Sequence, residues 1–203
     1  MSHTLILIIV TAAISFLAFN NHKLYNDLIM YPPAIRKGQY YRFLTAGFIH
    51  ADLMHLAFNM ITLWFFGNAL EGYMNKFFPY AFVIFYLVAI TLSDIPSYLK
   101  NKDNSRYASL GASGGVAAIL FAFIVLAPWQ TIFLFFIPVP AIVFGVAYMI
   151  YSQYMSRKGG DNINHDAHFW GAVIGVVGIL ILDPNAGGRF LQEIVNPRFN
   201  LGF

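Results

Sequence analysis

One serine stands among glycines at the start of an apolar run, in the segment Gly111-Ala112-Ser113-Gly114-Gly115. Glycines permit tight turns and the close approach of another backbone, so Ser113 can be an exposed nucleophile. A serine at the start of a helix is also a favoured N-cap residue. Taken alone, this short pattern favours the cap, and other residues are needed to support a nucleophile.

Further polar side chains fall inside apolar runs, where an unpaired polar group is costly and needs a reason. His55 and Asn59 are four residues apart and therefore share one helix face. His50 lies five residues before His55, near the expected membrane surface. Such groups can join helices by hydrogen bonds, which is the interpretation that we favour for His50.

A second histidine, His168, precedes Gly171 and Gly175 on one helix face. Small residues at this spacing let two membrane helices approach closely, and Gly114 offers a similar small surface. The spacing therefore predicts that the helix after Ser113 packs against the helix of His168. A histidine next to a serine can act as its base.

These residues together predict acyl transfer. His168 would take the proton of Ser113, whose oxygen would attack a carbonyl. His55, Asn59 and the backbone N–H of Ser113 would donate hydrogen bonds to the oxyanion. Asp166 lies two residues from His168 and points elsewhere on a helix, so the pattern favours a dyad over a triad.

The composition predicts an integral membrane protein. Hydrophobic residues make up 59% of the 203 residues and charged residues 10%, against about 25% charged in soluble domains. The net charge of +3 comes from basic residues scattered in loops, which suits lipid headgroups and not nucleic acid. The absence of cysteine excludes disulfides, thiolate metal sites and cysteine nucleophiles.

The hydropathy pattern predicts an all-α, polytopic bundle of six transmembrane helices in a single domain over 1–203. An ordered connector, 20–42, would lie on or partly in the membrane, and Pro138 and Pro140 would kink or break the fifth span. We expect a multi-pass protein of a bacterial inner membrane. The predicted spans are 4–19, 51–70, 78–92, 113–127, 131–151 and 167–182.

The motifs, in this order and spacing, resemble the rhomboid family of intramembrane serine proteases over nearly the whole chain. The resemblance rests on motifs of the second, fourth and sixth spans, on an aromatic–arginine pair in the first loop, and on a glycine–glutamate pair at the end of the second span. The motifs are His50-x4-His55-x3-Asn59, Gly111-x-Ser113-Gly114, Ala167-His168-x2-Gly171-x3-Gly175, Tyr41-Arg42 and Gly67-x3-Glu71.

The resemblance implies a Ser113–His168 dyad, with His55 and Asn59 around the oxyanion. It implies structural roles for Arg42 and Glu71, and for the motif glycines 111, 114, 171 and 175. It also implies that the fifth span gates entry of single-span membrane protein substrates from the lipid bilayer, with no cofactor and no metal.

One departure concerns the histidine. Many bacterial members carry a tyrosine four residues after the serine, packed on the histidine. Ala117 occupies that position here, so another residue must orient His168.

Three other functions compete with a protease. A catalytically inactive rhomboid-like protein would use the same fold to bind transmembrane helices. A metal site would use His165 and His168, three residues apart, but no H-E-x-x-H pattern is present. A transporter or channel would use the polar groups as a solute path, but the chain shows no repeated pair of broken spans.

Overall fold

The computed structural model describes residues 1–134, 136–161 and 163–197, and within these ranges the protein is mostly helical. Eleven α-helices, a 3₁₀ turn, a π-helical turn and one β-hairpin follow one another in the described residues. The elements are α1 (His3–Phe19), α2 (His22–Leu28), α3 (Pro32–Ile35), α4 (Arg42–Thr45), the 3₁₀ turn (Ala46–Phe48), α5 (Leu53–Thr62), the π turn (Leu63–Gly67), α6 (Asn68–Met74), α7 (Ala81–Asn101), α8 (Ser113–Leu126), β1 (Thr131–Leu134), β2 (Ile137–Pro140), α9 (Ala141–Lys158), α10 (His165–Leu182) and α11 (Ala186–Val195).

Three helical segments of the described chain are long and apolar enough to cross a membrane: Leu53–Met74, Ala81–Asn101 and His165–Leu182. The first of these runs through α5, the π turn and α6 without interruption. Two shorter apolar helices, His3–Phe19 and Ser113–Leu126, accompany them. The fold is therefore a helical membrane fold, as predicted, with three candidate spans by length and hydropathy.

Helix α8 lies at the centre of the bundle, and nearly all of its residues are buried. It packs against α10 backbone to backbone. A Cβ atom added to Gly171 would lie 2.2 Å from the carbonyl oxygen of Gly114, and one added to Gly175 would lie 2.3 Å from that of Ala118. The predicted packing of these two helices through small residues is confirmed.

Helix α1 is held at its amino end by Glu71 of α6. The Glu71 carboxylate accepts hydrogen bonds from the backbone N–H groups of His3 and Thr4, at 2.8 and 2.9 Å. These are N–H groups of the first turn, which have no partner within their own helix. Gly67, one turn before Glu71, lets α1 approach, since an added Cβ would lie 2.8 Å from Thr4 Cγ2.

The third predicted span, 78–92, begins three residues before the observed helix begins and ends nine residues before it ends. Helix α7 runs from Ala81 to Asn101 and passes through Pro96. Side chains beyond the proline fix its last turns, because Ser97 bonds Asn164 and Lys100 pairs with Asp166 at 2.9 Å. These tertiary contacts offset the backbone hydrogen bond that proline removes.

The fifth predicted span, 131–151, is also corrected. Its first ten residues contain an antiparallel β-hairpin, with Thr131 opposite Pro140 and Phe133 opposite Pro138. Proline has no N–H and fits an edge strand better than a helix interior. The predicted break at the prolines is therefore confirmed, but the helix that follows, α9, covers Ala141–Lys158.

The other boundaries lie closer to the prediction. The connector 20–42 is ordered and contains α2 and α3. The second span continues to Met74 rather than residue 70, and the sixth begins at His165 rather than residue 167. Of the predicted domain 1–203, residues 198–203 lie outside the described chain.

The backbone contact between α8 and α10 predicts the effect of one added methyl group. Gly171→Ala should lower the thermal unfolding temperature in detergent, by the equivalent of about 1–3 kcal/mol, because the methyl group would overlap the Gly114 carbonyl. The matched control is Gly72→Ala on α6, where an added Cβ would meet no atom within 4 Å. The unfolding temperature of this control should be at least that of wild type, because alanine has a higher helix propensity than glycine. Unfolding of Gly171→Ala at the wild-type temperature would contradict the packing.

Candidate active site

Ser113 is the first residue of α8, and its hydroxyl does not cap the helix. The N-cap position is occupied by Ala112, and no side chain caps the helix. Among the described residues, no hydrogen-bond partner lies within reach of Ser113 Oγ. The alternative that Ser113 is a helix cap is therefore wrong. Gly111 precedes the turn with a φ of +115°, a left-handed conformation that favours glycine.

His168 lies on α10, one turn before Gly171, at the end of the helix that meets the start of α8. A Cβ on Gly114 would come within 3.4 Å of the Ala167 carbonyl oxygen, so the residues next to Ser113 and next to His168 face each other. The start of α8 and the first turn of α10 therefore lie side by side, and in the described part of the chain no hydrogen bond joins Ser113 to His168.

His55 covers the loop before the serine. Its ring lies against Gly111, where an added Cβ would be 2.7 Å from His55 Cε1. Asn59 is buried one turn further along α5, and its Nδ2 donates to the His55 carbonyl at 2.9 Å. An amide nitrogen carries two protons, so one N–H of Asn59 is left for another acceptor.

His50 is fully buried and links α1 to the serine loop. Ser15 Oγ donates to the Phe48 carbonyl at 3.0 Å and lies 2.9 Å from His50 Nδ1, so Nδ1 must carry the proton that it shares with Ser15. His50 Nε2 is then free to accept from the N–H of Ala112, at 3.3 Å. A neutral histidine therefore holds the residue that precedes Ser113.

The charge state of His50 agrees with these bonds. Burial and, to a smaller extent, the neighbouring His55 lower the pKa of His50 to about 3. A second proton, on Nε2, would face the Ala112 N–H and break the contact.

The start of α10 is fixed by Asn164, its N-cap residue. Asn164 Oδ1 accepts from the backbone N–H of Ala167 at 3.1 Å and from Ser97 Oγ at 2.7 Å. Its Nδ2 donates to Asp94 Oδ1 at 3.1 Å and to Ser109 Oγ at 2.7 Å. One side chain thereby ties α10 to α7 and to the loop that leads into α8.

Arg42 and Glu71 lie away from Ser113, and their side chains form hydrogen bonds with backbone groups of neighbouring segments. Arg42 is buried, and its guanidinium donates to the carbonyls of Asn26 and Ile29, at 2.7 and 2.8 Å. It also donates to the Gln39 side chain at 2.7 Å. These contacts join α2 to the start of α4, as those of Glu71 join α6 to α1.

Two residues that shape the site, Asn164 and Tyr148, are not among the residues predicted from the sequence. Asn164 directly precedes a helical apolar run, which is an N-cap signal. Tyr148 stacks on His168 from α9, with ring centroids 6.1 Å apart; the local sequence around Tyr148 carries no signal of this contact. Within the described ranges, no three His, Cys, Asp or Glu side chains converge as metal ligands.

Comparison with known proteins identifies related chains. The family model described as Rhomboid domain matches residues 37–184. RHOMBOID-like protein 12, mitochondrial, of Arabidopsis thaliana is 31% identical over 176 residues, which are 78% of this chain and 51% of that protein. Presenilin-associated rhomboid-like protein, mitochondrial, of Mus musculus is 31% identical over 137 residues, 66% of this chain and 36% of that protein.

A shorter match is to Rhomboid protease GluP of Bacillus subtilis, 34% identical over 93 residues, 46% of this chain and 17% of that protein. The chain thus spans about half the length of the Arabidopsis relative and about a third of the mouse relative. Both of these relatives are named as mitochondrial, which contradicts the predicted bacterial inner membrane.

The bonds of His50 predict a pH dependence. The pKa of His50 is lower in the folded protein than in the unfolded chain, so its contribution to stability is complete above about pH 6.5 and is lost as the pH falls toward 3. His50→Gln keeps a donor and an acceptor but does not titrate. The thermal stability of wild type should exceed that of His50→Gln at pH 7, by about 1 kcal/mol, and this difference should shrink at pH 4.

The matched control is His22→Gln, an exposed histidine on α2, which should equal wild type at both pH values. A difference between wild type and His50→Gln that is the same at pH 7 and pH 4 would rule out a neutral, hydrogen-bonded His50.

Proposed function

The chain belongs to the rhomboid family, and from this premise we propose that it is an intramembrane serine endopeptidase with a Ser113–His168 dyad. The family includes serine intramembrane proteases and acts on membrane protein substrates within the lipid bilayer. One observation carries the proposal for this chain. The hydroxyl of Ser113 makes no capping hydrogen bond and lies at the start of α8. This helix packs backbone to backbone against α10, the helix of His168.

In the first half of the proposed reaction, His168 accepts the proton of Ser113 while Ser113 Oγ bonds to the substrate carbonyl carbon. The carbonyl oxygen becomes an oxyanion. The proposed donors to it are the N–H of Ser113, the free N–H of Asn59 and the His55 ring. Ser113 is the first residue of α8, so the positive end of the helix dipole also favours negative charge there.

In the second half, the tetrahedral intermediate collapses. The C–N bond breaks, His168 gives its proton to the leaving amine, and the acyl group stays on Ser113 as an ester. A water molecule then attacks the ester, with its proton passing to His168. Release of the carboxylic acid returns the proton to Ser113 Oγ.

No hydrogen bond joins Ser113 and His168 in the part of the chain that the structure describes. Catalytic hydrogen bonds in enzymes without substrate are often long and tighten when substrate binds. We infer that the dyad closes when a transmembrane segment enters.

We propose six spans in a single domain over 1–203. Helices α1 and α8, of 17 and 14 residues, cover about 26 and 21 Å, short of a hydrocarbon core of about 30 Å. Both are apolar, and α8 is enclosed by neighbours that span. Helix α1 precedes the matched residues 37–184 but is bonded to Glu71 and His50, which supports one folding unit.

The proposed substrates are single-span membrane proteins. The outer face of α9 exposes apolar side chains such as Val143, Val146 and Ile150, which suits a helix that borders lipid and gates entry. An intact substrate helix hides its carbonyls, so helix-destabilising residues in the substrate would favour cleavage. The names of the Arabidopsis and mouse relatives favour a mitochondrial membrane as the location.

A second candidate is a catalytically inactive rhomboid-like protein that binds transmembrane helices. The unmade Ser113–His168 hydrogen bond and the alanine at position 117 favour it. Both functions would admit a transmembrane segment past α9, so only a reaction at Ser113 can separate them.

The test is cleavage of a model single-span substrate in liposomes by purified protein. Ser113→Ala should reduce cleavage to background, and His168→Ala should reduce it at least about a hundredfold, because both the nucleophile and its base are required. Matched controls are Ser105→Ala and His22→Ala, at exposed positions away from the site, which should cleave like wild type.

Labelling of Ser113 by a fluorophosphonate separates the two candidates where no substrate is cut. Labelling that is lost in Ser113→Ala supports an active serine with an unsuitable substrate. Absence of labelling in the wild-type protein would favour the helix-binding protein, and equal cleavage by all variants would contradict the dyad.

A further inference from the structure

The ring of His168 is held by other rings and not by hydrogen bonds. In the part of the chain that the structure describes, neither ring nitrogen of His168 has a hydrogen-bond partner, and its ring contacts are with Tyr148 and His165. We propose that Tyr148, carried by α9, is the positioning residue for His168, a proposal that rests on the proposed function. The orientation of the base would then depend on the place of α9.

The geometry of the two contacts differs. The Tyr148 ring is stacked on His168, with centroids 6.1 Å apart and planes inclined by 23°. The His165 ring meets His168 edge-on, at 5.7 Å and 75°. Offset stacking and edge-to-face contact are both favourable arrangements of aromatic rings. Together they restrict rotation of the His168 ring on two sides.

His165 belongs to α10 and is itself anchored, since its Nε2 lies 3.0 Å from Asp161 Oδ2. It therefore stays with His168 when α10 stays in place. Tyr148 is different because it comes from a neighbouring helix. The stack with Tyr148 is the contact that α9 makes directly with His168, while α9 also meets His165 through the edge-on ring of Tyr151, with centroids 5.6 Å apart.

Aromatic packing holds Tyr148 over the histidine. Its ring lies 5.5 Å from the ring of Phe121 on α8 and 5.8 Å from that of Phe144 on α9. Gly145 lets α9 approach α8 at this level, since an added Cβ would lie 3.0 Å from Ile124 Cδ1. The stack therefore depends on α9 packing closely on α8.

Ala117 explains why the ring can come from α9. Ala117 is buried and lies one turn before Phe121, on the face of α8 that meets Tyr148. A small side chain at Ala117 leaves room on that face of α8 for the Tyr148 ring, which comes from α9. The partner of the histidine is thereby carried by the helix proposed to admit substrate.

The test compares the rate at which a fluorophosphonate labels Ser113 in variants of the full chain. Tyr148→Phe keeps the ring and should label within about threefold of wild type. Tyr148→Ala removes the ring and should label roughly ten- to a hundredfold more slowly, because a misplaced base costs rate in this range. The matched control is Tyr154→Ala, an exposed tyrosine on the same helix, which should label like wild type.

The pH profile of labelling distinguishes positioning from general destabilisation. In Tyr148→Ala the midpoint of the profile should move, since His168 then faces water beside the remaining titratable groups, His55, His165 and Asp161. In Tyr148→Phe the midpoint should stay at the wild-type value. Wild-type rate and midpoint in Tyr148→Ala would overturn the proposal.

A nuclear magnetic resonance measurement keeps the proposal testable when the wild type does not label, an outcome that counts against the protease and not against the stack. In protein with isotope-labelled histidine, the His168 ring signals, assigned by their loss in His168→Gln, should shift in Tyr148→Ala through loss of the ring current. They should stay in place in Tyr154→Ala. Unchanged His168 signals in Tyr148→Ala would overturn the stack.

Discussion

The close contact between the backbones of α8 and α10 is the constraint on which the rest of the structure depends. Gly171 meets the Gly114 carbonyl, and Gly175 meets that of Ala118, with no room for a side chain at either point. Membrane helices gain little from hydrophobic burial against one another, so close packing of small residues is a main source of their association. The same contact sets Ser113 and His168 at one level of the bundle.

Side-chain hydrogen bonds of His50 and Asn164 place the ends of these two helices. His50 holds the loop before α8 by one nitrogen and α1 by the other, and Asn164 joins the start of α10 to α7. In an environment poor in water, each such group is costly unless paired. Because almost all of the hydrogen-bonding capacity of Asn164 is used, the start of α10 has few alternative positions.

Hydropathy was sufficient to predict the helical membrane class, and glycine spacing to predict the pairing of α8 with α10, because both are local signals. The family was predicted from the resemblance of several motifs in one order. It was insufficient for the end of α7, which continues through Pro96 only because Ser97 and Lys100 find partners on or just before α10. The apolar residues of the hairpin at Thr131–Pro140 have the hydropathy of a membrane span, so hydropathy alone predicts a helix there. The stack of Tyr148 on His168 joins residues twenty apart on separate helices, a relation that no local pattern expresses. The roles of the proposed site residues stay predictions.

The contacts of α1 bear on the order in which the protein is made. The first-turn N–H groups of α1 find their acceptor in Glu71, and Ser15, near its other end, finds His50. Synthesis adds roughly 5–20 residues per second, so α1 emerges seconds before the segment that carries both partners. Until that segment has been made, α1 lacks the partners that fix its position and rotation. Synthesis therefore passes through a state in which α1 has been made while the two residues that hold its ends have not.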